Sequence, residues 1–151
     1  MYFVSVTRLR LRSPRFLPQF AWHNWRTVRQ TVRTPGFLDG RLLADARHAY
    51  WTLTLWEQEA AMRYLRDRGA HRQAMPKLQD WCDEAATAHW QQVDAILPSF
   101  AIAHDRLTTS AHFTRLKTPS EDHLQRIIPP PQADGGIHLK PQKSAAVLAD
   151  A

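Results

Sequence analysis

The chain has 151 residues, 44% of them hydrophobic and 23% charged, the make-up of one soluble globular domain with length for one good core. No apolar run approaches the ~20 residues that a membrane span needs, the N-terminal stretch lacks a signal-peptide core, and the single cysteine, Cys82, cannot form an internal disulfide, so a reducing, cytoplasmic setting is expected. The formal net charge of +6 is concentrated early, with nine Arg against only Asp39 and Asp45 in residues 1–47. These Arg are spread over several elements and lack the interleaved aromatics of RNA-binding sheets, so they read as solvated faces, and nucleic acid is not expected as a partner.

Residues 2–12 alternate, with Tyr2, Val4 and Val6 on one side and Phe3, Ser5, Thr7, Leu9 and Leu11 on the other, which predicts a strand. Ser13-Pro14 stops it, Ser13 serving as N-cap. Residues 15–33 have helical period, with an apolar stripe of Phe16, Leu17, Phe20, Ala21, Trp25, Val28 and Val32. Asn24 falls near the middle of that stripe, and a buried amide needs partners from a neighbouring strand or from a ligand.

After Thr34-Pro35-Gly36, residues 37–45 and 49–56 read as two strands, with a bulge expected at Asp39-Gly40. In the second, Tyr50, Thr52, Thr54 and Trp56 share one face, and Trp51, Leu53 and Leu55 the other. A helix is predicted over Glu57–Arg68 on a stripe of Ala60, Ala61, Tyr64 and Leu65, ended by Gly69. A second helix, kinked or restarted at Pro76, is predicted over about 70–85 on Ala70, Ala74, Leu78, Trp81, Cys82 and Ala85. Residues 86–92 make a fourth strand, 97–108 a short helix, and 111–117 an extra edge strand. From Pro119 the chain turns Pro- and Gly-containing, so the expected division is a domain over 1–118 and a tail over 119–151 with little capacity to form core.

The order β-α-β-β-α-β defines the ferredoxin-like α+β class, an antiparallel sheet with helices on one face. The bare face would then need a second copy of the chain, giving a homodimer.

The run Trp51-Thr52-Leu53-Thr54-Leu55-Trp56-Glu57, with Ala61-Met62, Gly69-Ala70-His71, Ala74-Met75-Pro76 and Trp81-Cys82-Asp83-Glu84-Ala85, resembles the antibiotic-biosynthesis-monooxygenase superfamily, and more closely an uncharacterised bacterial branch of it. The resemblance covers about residues 2–117. It implies a dimeric α+β barrel with a cleft between sheet and helices, and chemistries that include cofactor-free oxygenation of phenols, haem binding and degradation, and cyclisation or isomerisation of small metabolites. In haem-degrading relatives an Asn lies on the first strand, where this chain has Ser5 and Thr7.

His71 is the leading catalytic candidate, as a general base near neutral pH or, in the haem alternative, as axial ligand. Asn24 would orient a carbonyl or phenolate oxygen. Trp25, Trp51, Trp56, Trp81 and Trp90 are the candidates for an aromatic-accepting pocket, with His89 facing the same cleft and Trp22 on the outside. Asp83-Glu84 would need a compensating cation, such as an Arg from the first helix, and Cys82 reads as a buried inert thiol. No metal-ligand spacing, phosphate loop, dinucleotide fingerprint or nucleophile elbow is present. The expected function is therefore a small monooxygenase-like enzyme without a nucleotide cofactor or metal, or a cyclase or isomerase, acting on an aromatic or polyketide-like molecule. The alternatives are a haem binder and a non-catalytic ligand-binding or interaction protein using the Arg-rich first helix.

Overall fold

The computed structural model describes residues 1–133 and 135–142. The alternating N-terminal segment becomes β1 (Tyr2–Leu11), and Ser13 caps the turn that follows by accepting the Arg15 N–H at its hydroxyl. Next come α1 (Leu17–Arg33), β2 (Phe37–Asp45) and β3 (Ala49–Trp56). Three short helices, α2 (Glu59–Arg66), α3 (Gly69–Ala74) and α4 (Leu78–Trp81), lead into β4 (Cys82–Gln92). The chain closes with α5 (Phe100–Ser110), β5 (His112–Phe113), α6 (Glu121–Leu124) and β6 (Ile137–Leu139).

The strands form one antiparallel sheet in the order β5-β4-β1-β3-β2-β6. Its inner four, β4-β1-β3-β2, have the ferredoxin-like arrangement. Period-two alternation gives the sheet two unlike faces. On one, Val4, Val6, Trp51, Leu53, Leu55, Ala86 and Ala88 are almost wholly buried. On the other, Ser5, Thr7, Thr52, Thr54 and Thr87 lie under the helices between the strands.

The apolar face does not wait for a second copy. Phe100, Ala103 and Leu107 of α5, together with Ile128, pack on it from the same chain. Helices therefore cover both faces, and the packing reason for a homodimer is met within one chain.

The stretch expected as a tail also contributes to the domain. His123 of α6 accepts the Ala85 N–H at Nδ1 (3.3 Å) and donates from Nε2 to the Thr114 carbonyl (3.0 Å). Strand β6 pairs with β2, and Leu139 joins the cluster around Phe3, Phe37 and Trp56. Gly136 makes this pairing possible: its φ is +87°, and a Cβ there would stand 2.1 Å from the Leu42 carbonyl oxygen. Residues 143–151 of that expected tail lie outside the described residues.

The helix predicted to run to residue 85 ends at Trp81, and Cys82 is already extended (φ −107°, ψ 145°). Ladder pairing of Glu84 with Arg10 and Ala85 with Leu9 outweighs the helical spacing of the apolar residues. Pro76 sits in a 3-10 turn over Met75–Lys77. In α2 the buried side chains are Met62 and Leu65, while Tyr64 is exposed. Ala21 and Trp25 of α1 likewise fall outside the buried stripe. The bulge on β2 precedes Asp39, where the register slips between Phe37 and Asp39. The predicted edge strand over 111–117 shrinks to the two residues of β5.

Leu107→Ala tests whether α5 is integral to the domain. With Leu107 only 1% exposed, its truncation is expected to cost about 2–5 kcal/mol in urea unfolding. Ile102→Ala, at a position 48% exposed on the same helix, should fall within about 0.5 kcal/mol of the parent.

Candidate functional site

A strand hydroxyl sealed under an apolar helix must find its partner within the sheet, as Thr54 does at the Ser5 carbonyl (3.4 Å). Between this face and the helices lies a cavity of about 170 Å³. Its floor is Ser5, Thr7, Thr52, Thr54 and Thr87. Along one wall α1 presents Phe20, His23, Asn24, Thr27, Val28 and Thr31, which recur at helical spacing. The rest of the lining includes Met62, Leu65, Arg66, His71, Leu78 and Trp81, and Leu139 of β6 reaches the same space.

His71 is held on both sides. Its backbone N–H donates to Gln30 Oε1 (3.0 Å), and Gln30 Nε2 donates to the carbonyls of Arg68 (2.8 Å) and Leu65 (3.3 Å). Gly69, at φ +56°, lets the chain turn against this amide, since a Cβ there would lie 3.2 Å from Gln30 atoms. The imidazole Nδ1–H donates to the Arg66 carbonyl (3.2 Å), which leaves Nε2 as the lone-pair nitrogen. Burial lowers the His71 pKa from its ordinary 6.5, against the opposing pull of that carbonyl. The ring is therefore a neutral base at neutral pH.

Asn24 faces the cavity from α1, and among the described residues its amide bonds to no other side chain or backbone group. One residue earlier stands His23, which sequence reasoning missed. Its ring lies 5.3 Å from that of Trp81, and its Nδ1 is buried without a hydrogen-bond partner among the described residues. Burial first, then Lys77 and Arg26, lowers its pKa. The signal that could have found it was the polar series His23, Asn24, Thr27 and Thr31 at helical spacing beside Phe20.

The five Trp proposed for the pocket separate. Trp81 lines it, with its indole N–H donating to Gln19 Oε1 (3.2 Å). Trp56 is fully buried at the end of the floor, on the same sheet face as Thr54, and donates to Thr54 Oγ1 (2.9 Å). Trp51 and Trp90 belong to the opposite sheet face, in the cluster with α5. Trp25 is on the outside of α1, stacked on Trp22. His89 does line the cavity, at an exposed position with its ring stacked on Phe3.

Asp83 and Glu84 are on β4, and their cations come from β1 rather than from α1. Arg8 Nη1 donates to Glu84 Oε2 (2.6 Å), Arg10 Nη1 to Oε1 (3.2 Å), and Ser120 Oγ also donates to Oε1 (3.0 Å). Burial alone would raise the Glu84 pKa; the Arg8 hydrogen bond and charge, with Ser120 and Arg10, outweigh it and hold the carboxyl below its ordinary value. This buried network is structural. Cys82 is buried and its thiol is pushed up to about 12, chiefly by burial, so it is not a nucleophile at neutral pH.

Among the described residues no group of three or more His, Cys, Asp or Glu side chains is placed to hold a metal. The space beside His71 is also small for a large cofactor. Cofactor pockets run to about 300–1,000 Å³, whereas the space beside His71 is about 170 Å³. No described helix is long and apolar enough to cross a membrane.

The sequence matches no known family model and no curated protein. The fold, however, is that of antibiotic-biosynthesis-monooxygenase structures. SnoaB, a cofactor-independent oxygenase from Streptomyces nogalater, superposes with a TM-score of 0.51 at 16% identity, covering 63% of this chain and 96% of SnoaB. A structure described as antibiotic biosynthesis monooxygenase gives 0.54 at 14% identity, covering 62% of this chain and 100% of the other. A conserved protein from Methanosarcina mazei Go1 gives 0.55 at 14%, covering 62% and 94%. The ferredoxin-like α+β architecture is thus shared, and this chain carries more than a third of its length beyond it.

The lowered pKa values of His71 and His23 fix a pH dependence. The unfolded chain binds more protons than the folded one below the ordinary value of 6.5, so stability is full above that pH and falls as pH drops through it. Denaturation midpoints measured from pH 8 to pH 5 should decline below about pH 6.5. In His71→Gln, which keeps a donor for the Arg66 carbonyl, the decline should be shallower; an unchanged slope would remove His71 as a contributor.

Proposed function

We propose that the chain is a small monooxygenase-type enzyme acting on a compact aromatic molecule in the cavity between α1 and the sheet. The observation that carries this is His71, a desolvated neutral imidazole with its Nδ1 fixed by a carbonyl and its Nε2 without a partner among the described residues, in a cavity lined by hydroxyls. The shared fold with a cofactor-independent oxygenase supports the same reading. A dry cavity of about 150 Å³ accepts benzene, so 170 Å³ suits one substituted ring better than a polycyclic ligand.

In this mechanism His71 Nε2 removes a proton from a phenol or from a methylene activated by one. The Asn24 amide donates to the oxygen on which charge develops, and the strand hydroxyls hold the remaining polar groups. The resulting carbanion reacts directly with dioxygen: the methylene becomes a carbonyl and one oxygen atom leaves as water. Substrate supplies the electrons, so no nucleotide cofactor takes part. Arg66 at the wall would favour an anionic substituent. The lone buried Cys82 fits a cytoplasmic setting.

His23 favours a second version of the same site. A neutral imidazole on the α1 wall could return the proton at another carbon, which is isomerisation or cyclisation without oxygen.

Oxygen uptake and product formation with a panel of one- and two-ring phenols test both. His71→Ala is expected to lower kcat/KM by about 10²–10⁴-fold, and Asn24→Ala by about 10²-fold. Product without oxygen uptake, lost in His23→Ala, would select the isomerase version. Full activity in His71→Ala would discard both.

A further inference from the structure

The cavity uses the inner side of α1. The outer side carries a separate arrangement. Trp22 and Trp25 are 57% and 49% exposed, and their rings stack at 5.5 Å with 30° between planes. The Arg29 guanidinium lies 4.9 Å from the Trp25 ring centroid. Arg29, Trp25 and Trp22 thus form a contiguous series, and among the described residues no further ring or guanidinium is stacked on Trp22. Arg26, Arg29 and Arg33 line the same shallow groove, and among the described residues none has a carboxylate within salt-bridge distance.

Two exposed indoles and three uncompensated guanidiniums are each unfavourable features of a free surface. A second copy of this face would bury the indoles but would bring the guanidiniums of both chains together. An anionic partner relieves the charge, and one that also carries flat rings relieves the indoles. Acidic protein segments offer the charge without regularly supplying rings. A single nucleic acid strand alternates base and phosphate, matching a stacking surface flanked by cations. Arg26, Arg29 and Arg33 rise along the helix in steps of about 4.5 and 6 Å, a row along which a backbone can track. Helical spacing alone puts Trp22 and these three Arg on one face of α1, and Trp25, expected in the buried stripe, joins them there.

We propose that the outer face of α1 binds single-stranded nucleic acid, a base stacking on Trp22 and successive phosphates meeting Arg26, Arg29 and Arg33. This does not depend on the chemistry of the cavity.

The test is a fluorescence titration of the full chain with oligo(dT) at several salt concentrations. The other four Trp are at most 8% exposed, so quenching reports on Trp22 and Trp25. Saturable quenching is expected, with log K falling by about 2 per decade of salt, the value for three phosphates on a single strand. Trp22→Ala, an exposed position, should weaken binding about tenfold or more. The triple variant Arg26→Gln, Arg29→Gln, Arg33→Gln should abolish most of the salt slope. Heparin and polyglutamate, which carry charge without bases, should bind more weakly and quench little. The proposal is overturned by absence of quenching at 50 mM salt, by heparin or polyglutamate binding as tightly as the oligonucleotide, or by unchanged affinity in Trp22→Ala.

Discussion

Every side chain of the central strands must belong to one of two faces, and the molecule is built on the contrast between them. On β1 and β3 the apolar members, Val4, Val6, Leu53 and Leu55, are sealed against α5. Their neighbours Ser5, Thr7, Thr52 and Thr54 carry hydroxyls; that of Thr54 is paired with the Ser5 carbonyl and the Trp56 indole, and a tightly packed apolar helix would offer the other three no partner. Helix α1 meets that floor with His23, Asn24, Thr27 and Thr31 rather than with a continuous apolar stripe. Two polar surfaces facing each other across an otherwise apolar rim leave space between them, and that space is the cavity.

The sealed face has its own anchor. Arg8 and Arg10 of β1 converge on Glu84 of β4 at the end of the sheet, and Ser120 completes the group by donating to the same carboxylate. Removing Glu84 would leave the buried Arg8 guanidinium without its carboxylate, at a cost of about 3–5 kcal/mol. The network ties the segment after residue 118 to the central strands, with the His123 bonds to Ala85 and Thr114 as a second fastening. The segment after residue 118 is therefore hydrogen-bonded to β4 at two places, through Ser120 and His123.

Much of this was legible in the sequence because alternation is a strong, local signal. The bounds of β2 and β3 and the two faces of β3 follow from residues 37–56 read two at a time. Asn24 declared itself as a polar residue amid apolar neighbours. Less could be read where a local pattern fits two structures. Trp81, Cys82 and Ala85 continue a helical stripe from Leu78, yet cross-strand pairing with β1, which no local pattern contains, makes the last two part of β4. The Trp residues misled for a related reason: an indole's bulk suits a core, a floor or a surface stack equally well. Only the strand parity of Trp51 and Trp90 separates them from the cavity. The role of the late segment rests on single residues, Ile128 and Leu139, that no periodicity marks.

Strand β6 has a consequence for the behaviour of the protein in concentrated solution. A sheet edge with free N–H and C=O groups is a template for strand-by-strand association of neighbouring molecules. Here Gly136, with no side chain to strike the Leu42 carbonyl, lets the chain lay its own residues Ile137–Leu139 along β2. At the opposite edge β5 engages only Ala86 and Thr87. The sheet thus ends on the β6 side in a three-residue strand, a short edge that offers neighbours little to pair with, and its placement rests on a glycine packed against Leu42.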